Sequence, residues 1–154
     1  MTTLDKNVLF KKTVGLHEID SVAKQMARVV SASSVKPFVL WLQGDLGAGK
    51  TTFTGAFLHA LGLDSSVPVL SPTYTYMTEY QTTLGLCAHL DLYRLVEGDL
   101  DSLESLLSGR QYSGLIVEWP MRAALSPFIT RTHQLHFDFS TSEDVRVLTA
   151  ESFV

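Results

Sequence analysis

The sequence predicts an α/β fold: a single-domain sandwich, spanning residues 1–154, with a central mixed, partly parallel β-sheet flanked by helices. Three observations carry this. Short apolar runs alternate with amphipathic helical segments, the pattern of a sheet covered by helices. One strand–helix unit is joined by the glycine-rich octapeptide Gly44-Asp45-Leu46-Gly47-Ala48-Gly49-Lys50-Thr51. Two β-like segments around a short polar turn add an antiparallel pair, which makes the sheet mixed.

The elements follow in order. Val8 to Val14 reads as a first strand. From Leu16 to Val30, Ile19, Val22, Ala23, Met26 and Val30 recur at helical spacing, with Glu18 and Asp20 at the favourable N-terminal end. Pro37 to Leu42 is a buried strand. Thr52 to Leu61 places Phe53, Ala56, Phe57, Ala60 and Leu61 along a helix that Gly62 stops. Thr73 to Tyr80 and Leu84 to Leu90 flank the turn Gln81-Thr82-Thr83 as a hairpin. Asp99 to Ser108 is a helix with Leu100, Leu103, Leu106 and Leu107 inward, closed by Gly109. Leu115 to Val117 is a further buried strand, and His133 to Phe139 and Val145 to Ala150 are two last strands near an edge.

Composition narrows the function. The net charge of −4, from 12 basic and 16 acidic residues, argues against a broad basic face that grips DNA or RNA. If RNA is involved, it is reached through a partner. The lone Cys87 allows no intramolecular disulfide and reads as a core thiol. Met1 to Lys6 carries no apolar stretch behind a basic start, and no run approaches the ~18 apolar residues of a membrane span. A cytoplasmic protein without membrane contact is expected.

The octapeptide fits G-x-x-x-x-G-K-[ST], the phosphate-binding P-loop. A strand, a glycine loop and a helix N-terminus make an anion cradle from backbone N–H groups and the helix dipole. A P-loop NTPase-like domain is expected, with Gly44, Asp45, Gly47, Ala48, Gly49, Lys50, Thr51 and Thr52 binding the nucleotide. Lys50 reaches the outer phosphates, and Thr51 offers a hydroxyl to magnesium.

Hydrolysis also needs carboxylates and a means of orienting water. Asp91 and Glu118 end two apolar strands, where an open α/β sheet presents its ligand crevice. If its strand persists, alternation puts His89, Asp91 and Tyr93 on one face, with Leu90 and Leu92 in the core. Arg94 is either a surface residue or a partner for a phosphate or Asp91. Ser71-Pro72-Thr73 is either a plain turn or a loop that senses the terminal phosphate. Trp119 packs over the site or fills core.

Together, Gly44 to Thr52, Ser71-Pro72-Thr73-Tyr74, His89-Leu90-Asp91-Leu92-Tyr93-Arg94-Leu95 and Val117-Glu118-Trp119 resemble the TsaE family, formerly called YjeE, over roughly residues 37 to 120. These are small bacterial P-loop ATPases needed for the threonylcarbamoyl-adenosine modification of tRNA. The resemblance implies ATP phosphates on residues 47–52, and Mg2+ on Thr51 and Glu118. It implies that Asp91 is needed for turnover, that Ser71 to Thr73 is a conformational element, and that Trp119 is a sensitive neighbour. TsaB and TsaD are the implied partners, with tRNA reached through them and ATP hydrolysis resetting the assembly. After Pro120 the resemblance fades. Two other readings use the same loop: a small-molecule kinase, which needs clustered lid arginines, and a nucleotide-dependent interaction module without turnover.

Overall fold

The computed structural model of the chain describes residues 6–72 and 74–154. Its order is β1 (Asn7–Gly15), α1 (Ile19–Ala32), β2 (Phe38–Gln43), α2 (Lys50–Ala60), β3 (Met77–Gln81), β4 (Leu86–Asp91), α3 (Leu100–Ser108), β5 (Gly114–Glu118), β6 (His133–Phe139) and β7 (Val145–Ser152). One seven-stranded sheet runs β1-β7-β6-β2-β5-β4-β3. Its middle strands β6, β2, β5 and β4 are parallel, while β7, β1 and β3 attach antiparallel. The predicted mixed sandwich is the observed one.

Strand alternation divides the core into two layers. Phe38, Leu40 and Leu42 of β2 point to one face, where α1 and α2 cover them with Val22, Met26, Val30, Phe53 and Phe57. Val39 and Trp41 point to the other, where Leu103 and Leu107 of α3 join Leu90, Leu115 and Val117. Aromatic rings lock α2 to the sheet. Phe57 meets Phe38 edge-on at 5.8 Å, and Phe53 meets Phe137 edge-on at 5.9 Å. Cys87 is fully buried in the α1/α2 layer, and burial pushes its thiol pKa up, as a structural cysteine requires.

Several boundaries move, each for a local reason. Leu16 to Glu18 form a 3-10 turn before α1, where the Glu18 carboxylate accepts from the Gly15 N–H at 2.6 Å. Pro37 has no N–H to pair, so β2 begins at Phe38, whose N–H reaches the Ser113 carbonyl at 3.2 Å. The helix expected from Thr52 starts at Lys50, because the Phe53 N–H already bonds the Gly49 carbonyl at 2.9 Å. Ala60 on that helix is exposed, and Leu58 takes a core place instead. At its end the Leu63 N–H bonds the Leu58 carbonyl and the Gly62 N–H the His59 carbonyl, both at 3.0 Å.

The hairpin turn is 82–85, one residue later than expected, closed by reciprocal bonds between Thr82 and Gly85 at 3.0 and 3.1 Å. Its first strand starts at Met77; the expected start at Thr73 lies outside the described residues, as do residues 1–5 of the N-terminal reading. Leu106 of α3 is 55% exposed rather than inward, because α3 rests on the sheet through Leu103 and Leu107, with Leu100 partly buried beside them. The strands β6 and β7 lie third and second from the β1 edge, and β7 extends to Ser152 through pairing on both sides. No helix among the described residues is long and apolar enough to cross a membrane.

Gly114 sits opposite Phe38 in the parallel β2–β5 pair, and a Cβ there would meet the Phe38 ring at 2.1 Å. That ring is fully buried and held by Phe57, so it has nowhere to move. Gly114→Ala is expected to cost about 1–3 kcal/mol of folding stability, the usual penalty of overpacking a core. Urea denaturation checks this; an unchanged midpoint would mean that the two strands part without cost.

Candidate functional site

The C-terminal ends of β2, β4 and β5 lie side by side, and the chemistry collects there. The strand β2 runs into loop 44–49 and then α2, so the loop amides and the first N–H groups of the helix face one cavity of about 440 Å³. Gly47 and Gly49 have φ of +76° and +108°, a region that side chains disfavour. A Cβ on either would meet no protein atom within 4 Å, so the backbone turn, not crowding, demands glycine. The open side of both residues faces the cavity, as a phosphate cradle needs.

Lys50 opens α2 and is nearly buried. Its ammonium donates to the carbonyls of Gly44 and of Asp45, the latter at 3.1 Å. It also lies 4.0 Å from the centre of the Trp119 ring, a cation–π contact. Burial lowers its pKa, and the carboxylates of Glu118, Asp91 and Asp45 oppose that shift in that order. A positive group thus stands beside the cradle with acidic neighbours that a divalent cation would neutralise.

The acidic groups are placed by register. Asp91 and Glu118 are directly paired at the ends of the parallel strands β4 and β5. The Glu118 carboxylate is buried and accepts from the Thr51 hydroxyl at 3.2 and 3.3 Å. Behind it, fully buried His89 holds Glu118 Oε2 through Nε2 at 2.5 Å, while His89 Nδ1 has no hydrogen-bond partner. Thr51 and Glu118 therefore offer hard oxygen atoms in one place. Among the described residues no cluster of three His, Cys, Asp or Glu side chains forms a metal cage. Two oxygen ligands without a full cage suit Mg2+, which keeps waters and takes substrate phosphates as its other ligands.

Asp91 is half-buried and tied on both oxygens. Oδ2 accepts from the Ser71 hydroxyl at 2.5 Å, and Oδ1 from the Tyr93 N–H at 3.0 Å. The Ser71 loop is thus bonded into the site rather than being a remote turn; Thr73 of that loop lies outside the described residues. Because β4 ends at Asp91, Tyr93 does not continue the His89–Asp91 face as a strand residue. It turns out to 41% exposure and packs its ring 4.9 Å from Trp119. Leu90 and Leu92 are fully buried, as alternation predicted. Trp119 fills both expected places: it packs on the α3-side core and covers Lys50. Its backbone has φ of +56°, strained for a bulky residue, which turns the chain immediately after Glu118. Arg94 lines the cavity but makes no ion pair with Asp91; its guanidinium stacks 5.2 Å from the exposed Tyr74 ring.

Most predicted positions converge on this cavity: Gly47 to Thr52, Ser71, Asp91, Tyr93, Arg94, Glu118 and Trp119 all line it. Gly44 and Asp45 line a second cavity of about 450 Å³ on the β6 side, together with Met121, His136 and Phe139. Their carbonyls still serve the site by holding Lys50. His89 lies beneath the cavity, behind Glu118. Sequence reasoning missed Arg146, which reaches the carbonyls of Ala48 and Gly47 from β7 at 3.2 and 3.3 Å. Alternation carried the signal, since Arg146 shares the buried face of Leu148 and Ala150.

Known proteins are similar to the chain over most of its length. The family model described as "Threonylcarbamoyl adenosine biosynthesis protein TsaE" matches residues 14–148, well past Pro120 where the sequence resemblance faded. The "tRNA threonylcarbamoyladenosine biosynthesis protein TsaE" of Aquifex aeolicus is 38% identical over 116 residues, covering 74% of this chain and 80% of that relative. The protein of the same name from Bacillus subtilis is 38% identical over 110 residues, covering 70% of this chain but 64% of its own length. The crystal structure of Bacillus subtilis YdiB superposes with a TM-score of 0.65 at 28% identity, covering 96% of this chain and 88% of that one.

The buried His89–Glu118 contact makes one stability prediction. His89→Ala removes the partner of Glu118 Oε2 and leaves a buried carboxylate short of a hydrogen bond. Without nucleotide, the loss is expected to be about 1–3 kcal/mol by urea unfolding. A variant as stable as the parent would show that the pair only orients Glu118.

Proposed function

The chain belongs to the TsaE family, which acts in tRNA threonylcarbamoyladenosine biosynthesis, and from that premise we propose that it is a magnesium-dependent ATPase whose turnover resets a TsaB–TsaD transferase assembly. The observation that carries the ATPase reading is the convergence of four groups. Lys50 and Thr51 at the start of α2 meet Glu118 and Asp91 at the ends of neighbouring strands.

In this reading residues 47–52 bind the phosphates through backbone N–H groups at the helix start. Thr51 and Glu118 hold Mg2+, with His89 orienting the carboxylate from behind. When bound, the ion neutralises charge on the phosphate oxygens. Lys50 is the preorganised cation for charge that develops on the transferred phosphoryl group. It leaves the carbonyls of Gly44 and Asp45 for stronger, charge-assisted bonds. Asp91 orients the attacking water, and Ser71 and the Tyr93 N–H hold its carboxylate in place. Trp119 and Tyr93 wall the cavity against bulk solvent.

The rival readings fit less well. A kinase needs several arginines over the phosphates, and Arg94 is the one arginine lining this cavity among the described residues. A binding-only switch could dispense with Asp91 or Glu118, and both are present, paired at the ends of neighbouring strands. The net charge of −4 agrees with a chain that reaches tRNA through TsaB and TsaD rather than by itself.

The test is magnesium-dependent release of phosphate from ATP, with the chain alone and then with TsaB, TsaD and tRNA. Low release that rises with the partners supports the proposal; nucleotide binding without any partner effect would break the link to the assembly. Lys50→Ala is expected to weaken ATP binding by about tenfold or more, read by calorimetry. Full affinity in that variant would sink the cradle argument. Asp91→Ala is expected to keep binding within a few-fold and lower turnover by about 10²-fold or more. Loss of binding instead would make Asp91 a phosphate or metal anchor.

A further inference from the structure

Arg146 of β7 is buried, yet among the described residues it has no carboxylate within ion-pair distance. Four main-chain oxygens satisfy it instead. Nε donates to Ala48 O at 3.2 Å and Nη2 to Gly47 O at 3.3 Å, both in the glycine loop. Nη1 donates to Glu143 O at 2.5 Å, in the turn before β7, and to Val145 O at 3.0 Å, at that strand's first residue. The Phe139 ring covers the guanidinium at 4.6 Å. Leu148 and Ala150 share its face of the strand, where an apolar side chain would cost no charge desolvation.

We infer that Arg146 is a positioning residue of the phosphate-binding loop, acting on the side opposite the ligand; this rests on the nucleotide reading above. In a planar trans peptide the C=O and the following N–H point in opposite directions. Holding Ala48 O on the β7 side therefore turns the Gly49 N–H toward the cavity. Holding Gly47 O fixes the preceding peptide, whose Ala48 N–H closes the loop onto Asp45 O at 3.1 Å. Both peptides flank residues with positive φ, where a glycine backbone has the most freedom to flip. Hydrogen bonds to the carbonyls also polarise the amides and strengthen them as donors. With no carboxylate within ion-pair distance among the described residues, the guanidinium adds its field to that of the α2 N-terminus. A lysine in its place would keep the charge but lose the fork that engages both carbonyls.

The test measures calorimetric binding of Mg2+–ADP and of Mg2+–pyrophosphate to the full chain and to Arg146→Met, Arg146→Lys and Arg131→Met. Circular dichroism and the thermal midpoint establish folding. Arg131 is the control, since it also stacks on aromatic rings, Trp41 and Phe153, but lines neither cavity. Arg146→Met is expected to lose about tenfold in affinity for both ligands, Arg146→Lys less, and Arg131→Met nothing. Equal losses for ADP and pyrophosphate place the effect at the phosphates. Folded Arg146→Met that binds Mg2+–ADP within twofold of the parent overturns the inference, as does an equal loss in Arg131→Met. If Arg146→Met does not fold, Arg146→Lys decides by the same twofold limit. A parent chain that binds neither ligand overturns the nucleotide reading and this inference with it.

Discussion

The start of α2 has backbone N–H groups with no partner inside the helix, and the rest of the structure is arranged around where they point. A helix end can serve as an anion site only if the helix cannot drift. Phe53 and Phe57 fix α2 against β2 and β6 through ring contacts, and α1 packs beside it on the same face of the sheet. The strand β2 enters the loop from the middle of the sheet, flanked by parallel neighbours on both sides. The same register that aligns β2 with β5 delivers Glu118 to the Thr51 hydroxyl, and the β5–β4 register delivers Asp91 beside it. Packing, pairing and chemistry thus share one geometric origin.

Around that fixed point, the polar groups are held mostly by each other. His89 backs Glu118, Ser71 and the Tyr93 N–H hold Asp91, and Trp119 roofs Lys50. These supports come from β4 and its end, the Ser71 loop and the residue after β5, so the site closes only when those segments meet the start of α2. The family model matches residues 14–148, which contain β2 to β6 whole but only the last two residues of β1 and the first four of β7.

Much of this was legible in the sequence, for reasons that differ by element. The core strands and α1 follow from apolar period alone, and β6 was read to the residue. The loop and the strand-end carboxylates were legible because local sequence sets their place: a glycine run before a helix, an acid after an apolar run. Element ends were harder, since Ser113 O, Gly49 O and the bonds of turn 82–85 decide them, and these partners are distant or conformational. Leu106 was misplaced because helical spacing does not say how wide a face the sheet will cover. Alternation marks Arg146 as buried, but it does not name the loop carbonyls of Ala48 and Gly47, 98 and 99 residues away, that the side chain reaches.

The in-register pair of Asp91 and Glu118 has a consequence for how such a chain ages in evolution. Asp91 and Glu118 are like charges held side by side, a costly arrangement for an idle protein that the nearby Lys50 ammonium offsets. Replacing one carboxylate by a neutral side chain relieves that repulsion and is tolerated where no activity depends on the charge. A lineage released from its biochemical duty would therefore lose this corner first, while its aromatic core lasted. Folding stability alone gives no reason to keep the two carboxylates side by side.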